Sequence, residues 1–378
     1  MKQSYLRLLP FLFFPVMFFS CTKVVSGEKE ENNIWTPESS SASDVYVGNT
    51  DGYRTFRIPA AVSTEAGTVL AFAEGRKYSG SDTGNIDLVL KRSQDGGKTW
   101  SKIQIIWDDG DNTCGNPVPV VDPETGRIHL LMTWNYGEDT IGEINSGASK
   151  DTRRVYYTYS DNDGIEWAKP KEITSSVKEK NWGWYATGPC HGIVISKGKY
   201  KGRIVIPCDC MEVGDGRRQF SHIIYSDDKG ETWHIGGVSI GGNESTVAET
   251  SDGRLLLNMR YSGMFRRQAY SSDGGITWTE SIENRDLVDP VCQGSLLDFD
   301  IDGEHCIFFS NAASTTRDHL TVKKSTDNGI SWKSRCLINE GHSAYSDLVK
   351  LGERELGVLY ENGQSNPYQK ISFEIVKI

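Results

Sequence analysis

The sequence predicts an all-β fold, a β-propeller, on three observations. An octapeptide of the form Ser-x-Asp-x-Gly-x-Thr-Trp recurs five times, short strand-like runs separated by Gly-rich turns fill the chain, and no long stretch shows helical periodicity. The copies are SQDGGKTW (93–100), SDNDGIEW (160–167), SDDKGETW (226–233), SSDGGITW (271–278) and STDNGISW (325–332). Their tryptophans are 67, 66, 45 and 54 residues apart, a blade-sized interval. The second copy departs from the pattern at Asn162 and Glu166, the fifth at Ser331. Asp and Ser side chains bond backbone amides across a tight turn, and Gly takes the positive φ that the turn needs. Trp is then expected to pack the turn against its own sheet. Each box follows a strand-like run such as IDLVLKRS, RVYYTYS, SHIIYS or LTVKKS, so each marks the turn of a β-hairpin. The acidic residues lack the ligand density of a calcium loop, which makes the boxes structural.

Further strands are expected in TVLAFAE (68–74), GRIHLLMTW (126–134), GRIVIPC (202–208), GRLLLNMR (253–260), HCIFFS (305–310), LGVLYE (356–361) and KISFEIVKI (370–378). Five boxes imply at least five blades. A sheet without a box, between or beyond them, makes a six-bladed β-propeller with box turns at its hairpins. Ahead of it, Lys2 and Arg7 precede an apolar stretch from Leu8 to Phe19, too short to cross a bilayer as a helix. Residues 1–20 read as a secretory signal. Ser20 is followed at once by Cys21, which resembles a bacterial lipoprotein signal with Cys21 as the lipidated residue. Residues 21–44 are polar and read as a tether, leaving 45–378 for the propeller. The expected location is outside the cell membrane, anchored by lipid at the cell surface or in the periplasm.

Without Lys2 and Arg7, 39 of the 41 basic residues face 51 acidic ones, a formal charge of −12. That balance excludes nucleic acid and an anionic membrane surface as natural partners, leaving the lipid anchor as the membrane contact. It also repels anionic substrates at long range, so an anionic substrate requires a local cluster of positive charge. Beyond Cys21 the chain has seven cysteines, Cys114, Cys190, Cys208, Cys210, Cys292, Cys306 and Cys336. An odd number leaves at least one unpaired within the chain, and they read mainly as small core residues. The Cys208–Cys210 spacing is too tight for a zinc knuckle, and no metal site is expected.

One residue resists this structural reading. Arg57 stands in the apolar run RTFRIPAAV (54–62), and arginine is seldom buried without an anionic partner. FRIP near the start, five boxes of this form (Asp boxes) and a chain of this size resemble the bacterial sialidase family, whose fold is a six-bladed propeller. The resemblance covers about residues 45 to 378. It implies that Arg57, Arg260 in LLLNMR and Arg317 in STTRDHLTVKKS surround a substrate carboxylate, a task suited to permanently charged, forked guanidinium groups. Glu361 in LYENG would hold Arg57 in position.

The resemblance further implies Tyr345 in HSAYSDL as nucleophile, since sialic acid carries a carboxylate on its anomeric carbon and sialidases use tyrosine there. Glu244 in GGNESTVAET would be its base, with Glu249 as rival; Glu244 is preferred because the strand RLLLNMR lies between it and Arg260. Asp82 would be the acid/base on a mobile loop, with Asp87 as alternative, and Arg76 would contact the sugar ring. Trp134, Asn135 and Tyr136, or Trp182 and Trp184, are candidates to line the pocket. The implied activity is exo-α-sialidase hydrolysis of sialylated glycans, with retention and without a cofactor. Alternatives are transfer of the sugar to an acceptor or to its own hydroxyl, hydrolysis of related ulosonic acids such as KDN or Kdo, or a non-catalytic sialoglycan-binding propeller.

Overall fold

In the computed structural model, which describes residues 42–214 and 218–378 together with Met1, Trp35 and Pro37, the backbone is almost entirely strand and turn. The signal, Cys21 and most of the tether lie outside the described residues. The first strand, β1 (Ser43–Val47), pairs only with the end of the chain. Blade 1 consists of β2 (Thr55–Ser63), β3 (Val69–Arg76), β4 (Ile86–Ser93) and β5 (Gln104–Trp107). Blade 2 consists of β6 (Thr113–Val121), β7 (Ile128–Asn135), β8 (Arg154–Ser160) and β9 (Lys171–Glu172). A short helix α1 (Ile141–Ser146) separates β7 from β8, and one turn, α2 (Thr174–Val177), follows β9.

Blade 3 opens with β10 (Trp182–Thr187) and β11 (Ile193–Val194), both paired to β12 (Ile204–Glu212), and adds β13 (Gln219–Ser226) and β14 (His234–Ile240). Blade 4 is β15 (Ser245–Glu249), β16 (Leu255–Met259), β17 (Phe265–Ser271) and β18 (Ile282–Val288). Blade 5 is β19 (Ser295–Ile301), β20 (Glu304–Ala312), β21 (Asp318–Ser325) and the first half of β22 (Lys333–Gly352). The second half of β22 pairs with β23 (Glu355–Asn362), and β23 with β24 (Lys370–Lys377). Finally β1 adds to β24, with Ser43 opposite Phe373. The sixth blade therefore takes three strands from the end of the chain and one from its beginning, and so closes the ring.

The apolar core is divided among the six seams between blades. Along β3, Leu70 and Phe72 face a cluster shared with Ile128 and Leu130 of blade 2. Val69, Ala71 and Ala73 face the opposite way, toward Leu359 and Phe373 of blade 6. Both faces of a central strand are buried, so these runs are apolar throughout instead of alternating. All seven cysteines in the described chain are buried and unpaired, as small core residues.

The octapeptides connect the third strand to the fourth in blades 1 to 5, each box serine being the last residue of its third strand. Blade 6 draws its third strand, β24, and its fourth, β1, from distant parts of the sequence, so no turn joins them. Six blades therefore carry five boxes. In the first box Asp95 accepts from the Thr99 amide at 2.9 Å and hydroxyl at 2.6 Å, while Ser93 Oγ accepts from the Gly97 amide at 2.8 Å. The departures in the second copy compensate one another. Asn162 Oδ1 still accepts from the Glu166 amide at 2.9 Å, but its Nδ2 donates to the Glu166 carboxylate at 3.1 Å, reversing the direction of the side-chain bond.

The expectation that each Trp packs on its own sheet holds only in part: Trp332 meets Phe309 of its own blade 5, but the contacts of other box tryptophans cross to a neighbouring blade. Trp167 of blade 2 meets Phe72 of blade 1 edge to face, Trp233 of blade 3 meets Tyr157 of blade 2, and Trp100 of blade 1 meets Phe373 of blade 6. The boxes fasten each blade to the one before it. The box glycine shares this duty: a Cβ on Gly275 of blade 4 would lie 2.2 Å from Ile223 Cδ1 of blade 3, at a φ of +91°. Gly275→Ala should therefore cost about 2–4 kcal/mol, combining backbone strain with overpacking. Gly67→Ala isolates the strain, since Gly67 has a φ of +79° and open space around it. Urea denaturation of both checks the point; equal losses would show that the seam contact is unimportant.

Candidate active site

Because the strands of each blade run antiparallel, first strands begin, second strands end and third strands begin at one rim. The boxes, at the ends of third strands, occupy the other. The candidate residues gather at the first rim. Arg57 lies near the start of β2, Arg76 ends β3, Glu244 precedes β15, Arg260 follows β16, Arg317 precedes β21, and Tyr345 lies near the start of the inner half of β22. A cleft of about 320 Å³ there is lined by Asp82, Glu244, Arg260 and Tyr345 among others.

Glu244 and Arg260 face each other across the open end of the β15–β16 hairpin, the Arg260 amide donating to the Glu244 carbonyl at 2.8 Å. Arg260 Nη1 donates to Glu244 Oε2 at 2.6 Å and to the Tyr345 hydroxyl at 3.0 Å. The Tyr345 hydroxyl donates to Glu244 Oε1 at 2.6 Å. Burial and the Glu244 charge push the Tyr345 phenol well above its ordinary pKa, against the pull of Arg260 and Arg57. The phenol is therefore neutral, with a carboxylate in place to take its proton. The rival Glu249 lies at the far end of β15, accepting from the Ser196 amide and hydroxyl at 2.8 and 2.6 Å. It is no part of the cleft.

Arg57 meets its anion. Its Nε donates to Glu361 Oε1 at 2.7 Å, and the same oxygen accepts the Ile58 amide at 2.9 Å. Glu361 Oε2 accepts the Tyr345 amide at 3.2 Å. Ile58 has a φ of +59°, unusual for a β-branched residue, and it sits in a bulge where the β2–β3 register breaks between Arg57 and Ala60. Burial works against the charge of Arg57, but Glu361 more than offsets it, so the proton is held tightly. The guanidinium carbon lies 5.2 Å from the centre of the Tyr345 ring and 4.2 Å from that of Tyr368. Arg317 donates to the Tyr368 hydroxyl at 2.7 Å and lies 5.6 Å from the Tyr345 ring centre. The three arginines thus converge on Tyr345. Arg57 and Arg260 have carboxylate partners, whereas Arg317 has none within ion-pair distance among the described residues.

Across the cleft, Arg76 donates to Glu74 at 3.0 and 2.6 Å, to the Gly80 carbonyl at 2.7 Å, and pairs with Asp82 at 2.8 Å. The Asp82 side chain is 69% exposed on its loop. Partial desolvation would raise its pKa, but Arg76, Arg57 and Arg153 outweigh this and hold the carboxyl below its usual value. The alternative Asp87 is fully buried in β4, bonded to the Tyr53 hydroxyl at 2.6 Å and Lys77 at 3.2 Å, away from the cleft lining.

Among the aromatic candidates only Trp184 lines the cleft. Trp134 bonds Asp109 at 2.7 Å, Tyr136 packs against Lys150, and Trp182 is buried against His222; their roles are structural. Asn135 acts indirectly, accepting at 2.6 Å from Arg153. That buried arginine, absent from the sequence expectations, stacks 3.8 Å over the Trp184 ring and bonds Asn116 and Thr133. Burial lowers its pKa to about 10, still charged at neutral pH. Glu74, Asn116 and Asp209 also line the cleft unforeseen. One available signal was the Asn-Pro step at 116–117, which repeats the Ile-Pro step at 58–59. Among the described residues no group of three or more His, Cys, Asp or Glu side chains could hold a metal ion.

A family model described as a BNR repeat-like domain matches residues 67–358. An exo-alpha-sialidase of Aspergillus fumigatus is 32% identical over 348 residues, covering 82% of this chain and 79% of that protein. A sialidase of Bacteroides fragilis is 31% identical over 352 residues, covering 87% of this chain and 63% of that one. Among solved structures, Hadza microbial sialidase Hz136 superposes with a TM-score of 0.81 at 31% identity, covering 89% of this chain and 68% of its own.

The contrast between the arginines is measurable. Glu361→Ala strands the buried Arg57 cation and should cost about 3–5 kcal/mol. Arg317→Ala leaves no carboxylate unpaired and should change stability by less than about 1 kcal/mol. Chemical denaturation of the two variants should reproduce that order, and the reverse order would contradict the pairing described.

Proposed function

The chain belongs to the sialidase family and is a glycoside hydrolase, and on that premise we propose that it removes terminal α-linked sialic acids with retention through a tyrosyl-sugar intermediate. The observation that carries this reading is the 2.6 Å bond from the Tyr345 hydroxyl to Glu244 beneath three converging arginines. Arg57, Arg260 and Arg317 bind the substrate carboxylate, Arg317 with its charge uncommitted. Asp82 protonates the leaving oxygen as Tyr345 attacks the anomeric carbon and passes its proton to Glu244. Asp82 then draws a proton from water, which displaces Tyr345 and releases the sugar. Arg76 positions Asp82 and reaches the ring.

A second reading keeps this chemistry and widens the substrate to ulosonic acids such as KDN. The wall bearing Arg153, Asp209 and Gln219 supports it, because these groups offer hydrogen bonds to a hydroxyl substituent. Release rates from paired Neu5Ac and KDN glycosides separate the two. Incubating sialyllactose with and without added lactose distinguishes hydrolysis from transfer.

Tyr345→Phe should lower sialic acid release from sialyllactose by at least about 10²-fold while leaving the thermal midpoint unchanged, and wild type should give the α-anomer first by NMR. Near-normal turnover in the variant, or a β-anomer as first product, would overturn the proposed nucleophile. We also propose that Cys21 carries the lipid anchor. Cys21→Ser should then move the expressed protein from the detergent-extracted membrane fraction to the soluble one, and unchanged partitioning would remove the anchor.

A further inference from the structure

Beside the catalytic cleft lies a larger groove of about 740 Å³, formed between blades 6 and 1. Two residues tie it to the leaving-group side. Arg57 lines it and stands 5.2 Å from the Tyr345 ring centre, and Gly80, on the Asp82 loop, lines it while accepting from Arg76 at 2.7 Å. A sialoside carries its carboxylate and its leaving group on the same carbon. A groove that begins at the carboxylate-binding arginine and the acid loop therefore receives whatever follows the scissile bond.

The lining has an unusual composition for this protein. The chain has 51 acidic residues against 41 basic, yet among the described residues no Asp or Glu lines the groove, while Arg54, Arg57 and Lys370 do. Lys370 is paired with Asp44 at 2.7 Å and Arg57 with Glu361. Arg54 is different: its guanidinium donates to Asn49 Oδ1 at 2.6 Å, and among the described residues no carboxylate lies within ion-pair distance of it. Side-chain amides such as Asn49 and Asn366 recur along the rest of the lining, which suits sugar hydroxyls. An adjoining hollow of about 480 Å³, which shares Asn339, Gly363 and Gln364 with the groove, carries Asp318 and Glu340, so the acid-free lining belongs to the groove itself.

We infer that this groove binds an anionic saccharide, the sugar next to the scissile bond carrying its own acid group to meet Arg54. The inference rests on the sialidase reading but adds a leaving-group preference to it. Wild type, Arg54→Ala and Arg54→Lys are compared on sialyllactose, whose next sugar is neutral, and on an α2,8-linked disialyl lactose, whose next sugar is acidic. A sialyllactose sulfated on galactose separates sulfate from carboxylate as the preferred acid. Arg54→Ala should lower kcat/KM for the disialyl substrate about ten-fold, which is ~1.4 kcal/mol, while sialyllactose stays within about two-fold. Arg54→Lys should retain most of the activity. Equal loss on both substrates, or loss on neither, overturns the inference. Calorimetric titration with sulfated lactose against plain lactose reads the groove without any bond being cleaved. If wild type cleaved no sialoside, the sialidase reading would fail on its own. Tighter binding of sulfated lactose that Arg54→Ala abolishes would still support an anion-selective groove, and equal binding of the two sugars would overturn it.

Discussion

The site is organised around one buried carboxylate. Glu361, with no exposed surface, ties the Arg57 guanidinium and the Ile58 amide of blade 1 to the Tyr345 amide of blade 6. It does so at the seam between the last blade and the first. Ile58 combines a β-branched side chain, a positive φ and a following proline, each of which disfavours its conformation. Such a residue costs about 1–3 kcal/mol and persists only when its surroundings over-determine it. Glu361 is what over-determines it. Were the bulge to relax into regular strand, the register would shift and Arg57 would turn toward the other face of the sheet.

The same device recurs one blade on. Asn116 has a φ of +50° and precedes Pro117, in a bulge where the β6–β7 register breaks between Gly115 and Val118. Its amide donates to Glu74 Oε1 at 2.9 Å. Glu74 lies on the second strand of blade 1, as Glu361 lies on the second strand of blade 6. In both cases a carboxylate from the preceding blade holds a strained residue before proline and also pairs with an arginine at the cleft, Arg76 for Glu74 and Arg57 for Glu361. The ring thus turns a repeated strand pattern into two neighbouring cationic walls, and the seam between the last blade and the first carries the first of them.

The propeller was legible because turns are local. The box residues bond within eight positions of one another, so their chemistry is written contiguously. What the Trp touches is not local: Trp332 packs on its own sheet, as expected, whereas Trp100, Trp167 and Trp233 meet aromatic rings of the neighbouring blade. Glu244 is distinguished from Glu249 by its placement relative to the strand leading to Arg260, and the hairpin pairing places Glu244, not Glu249, at the end where Arg260 emerges. Arg153 escaped because it sits beside Arg154 ahead of an ordinary strand, and only the fold reveals that one is buried over Trp184 while the other pairs with Asp151. Asp209 escaped because CDC draws attention to its cysteines, whereas the carboxyl between them faces the cleft.

Charge decides how the two sides of the cleft divide the proposed chemistry. Burial and Glu244 keep the Tyr345 phenol protonated, so no free phenolate accumulates; in the proposed mechanism its proton leaves for Glu244 only as the new bond forms. Asp82 faces the opposite problem. Arg76, Arg57 and Arg153 hold its carboxyl below the ordinary value despite partial desolvation, so the unliganded protein keeps it ionised, the wrong state for an acid. A carboxylate seated among Arg57, Arg260 and Arg317 brings like charge toward Asp82 and cancels part of the field of Arg57. Both effects raise the pKa of Asp82 and favour proton uptake, which its exposed loop position allows. In this scheme the substrate loads the acid that cleaves it. On that proposal a neutral sugar in the same cleft would leave Asp82 ionised, so the arginines proposed to bind the carboxylate would also confine cleavage to substrates that carry one.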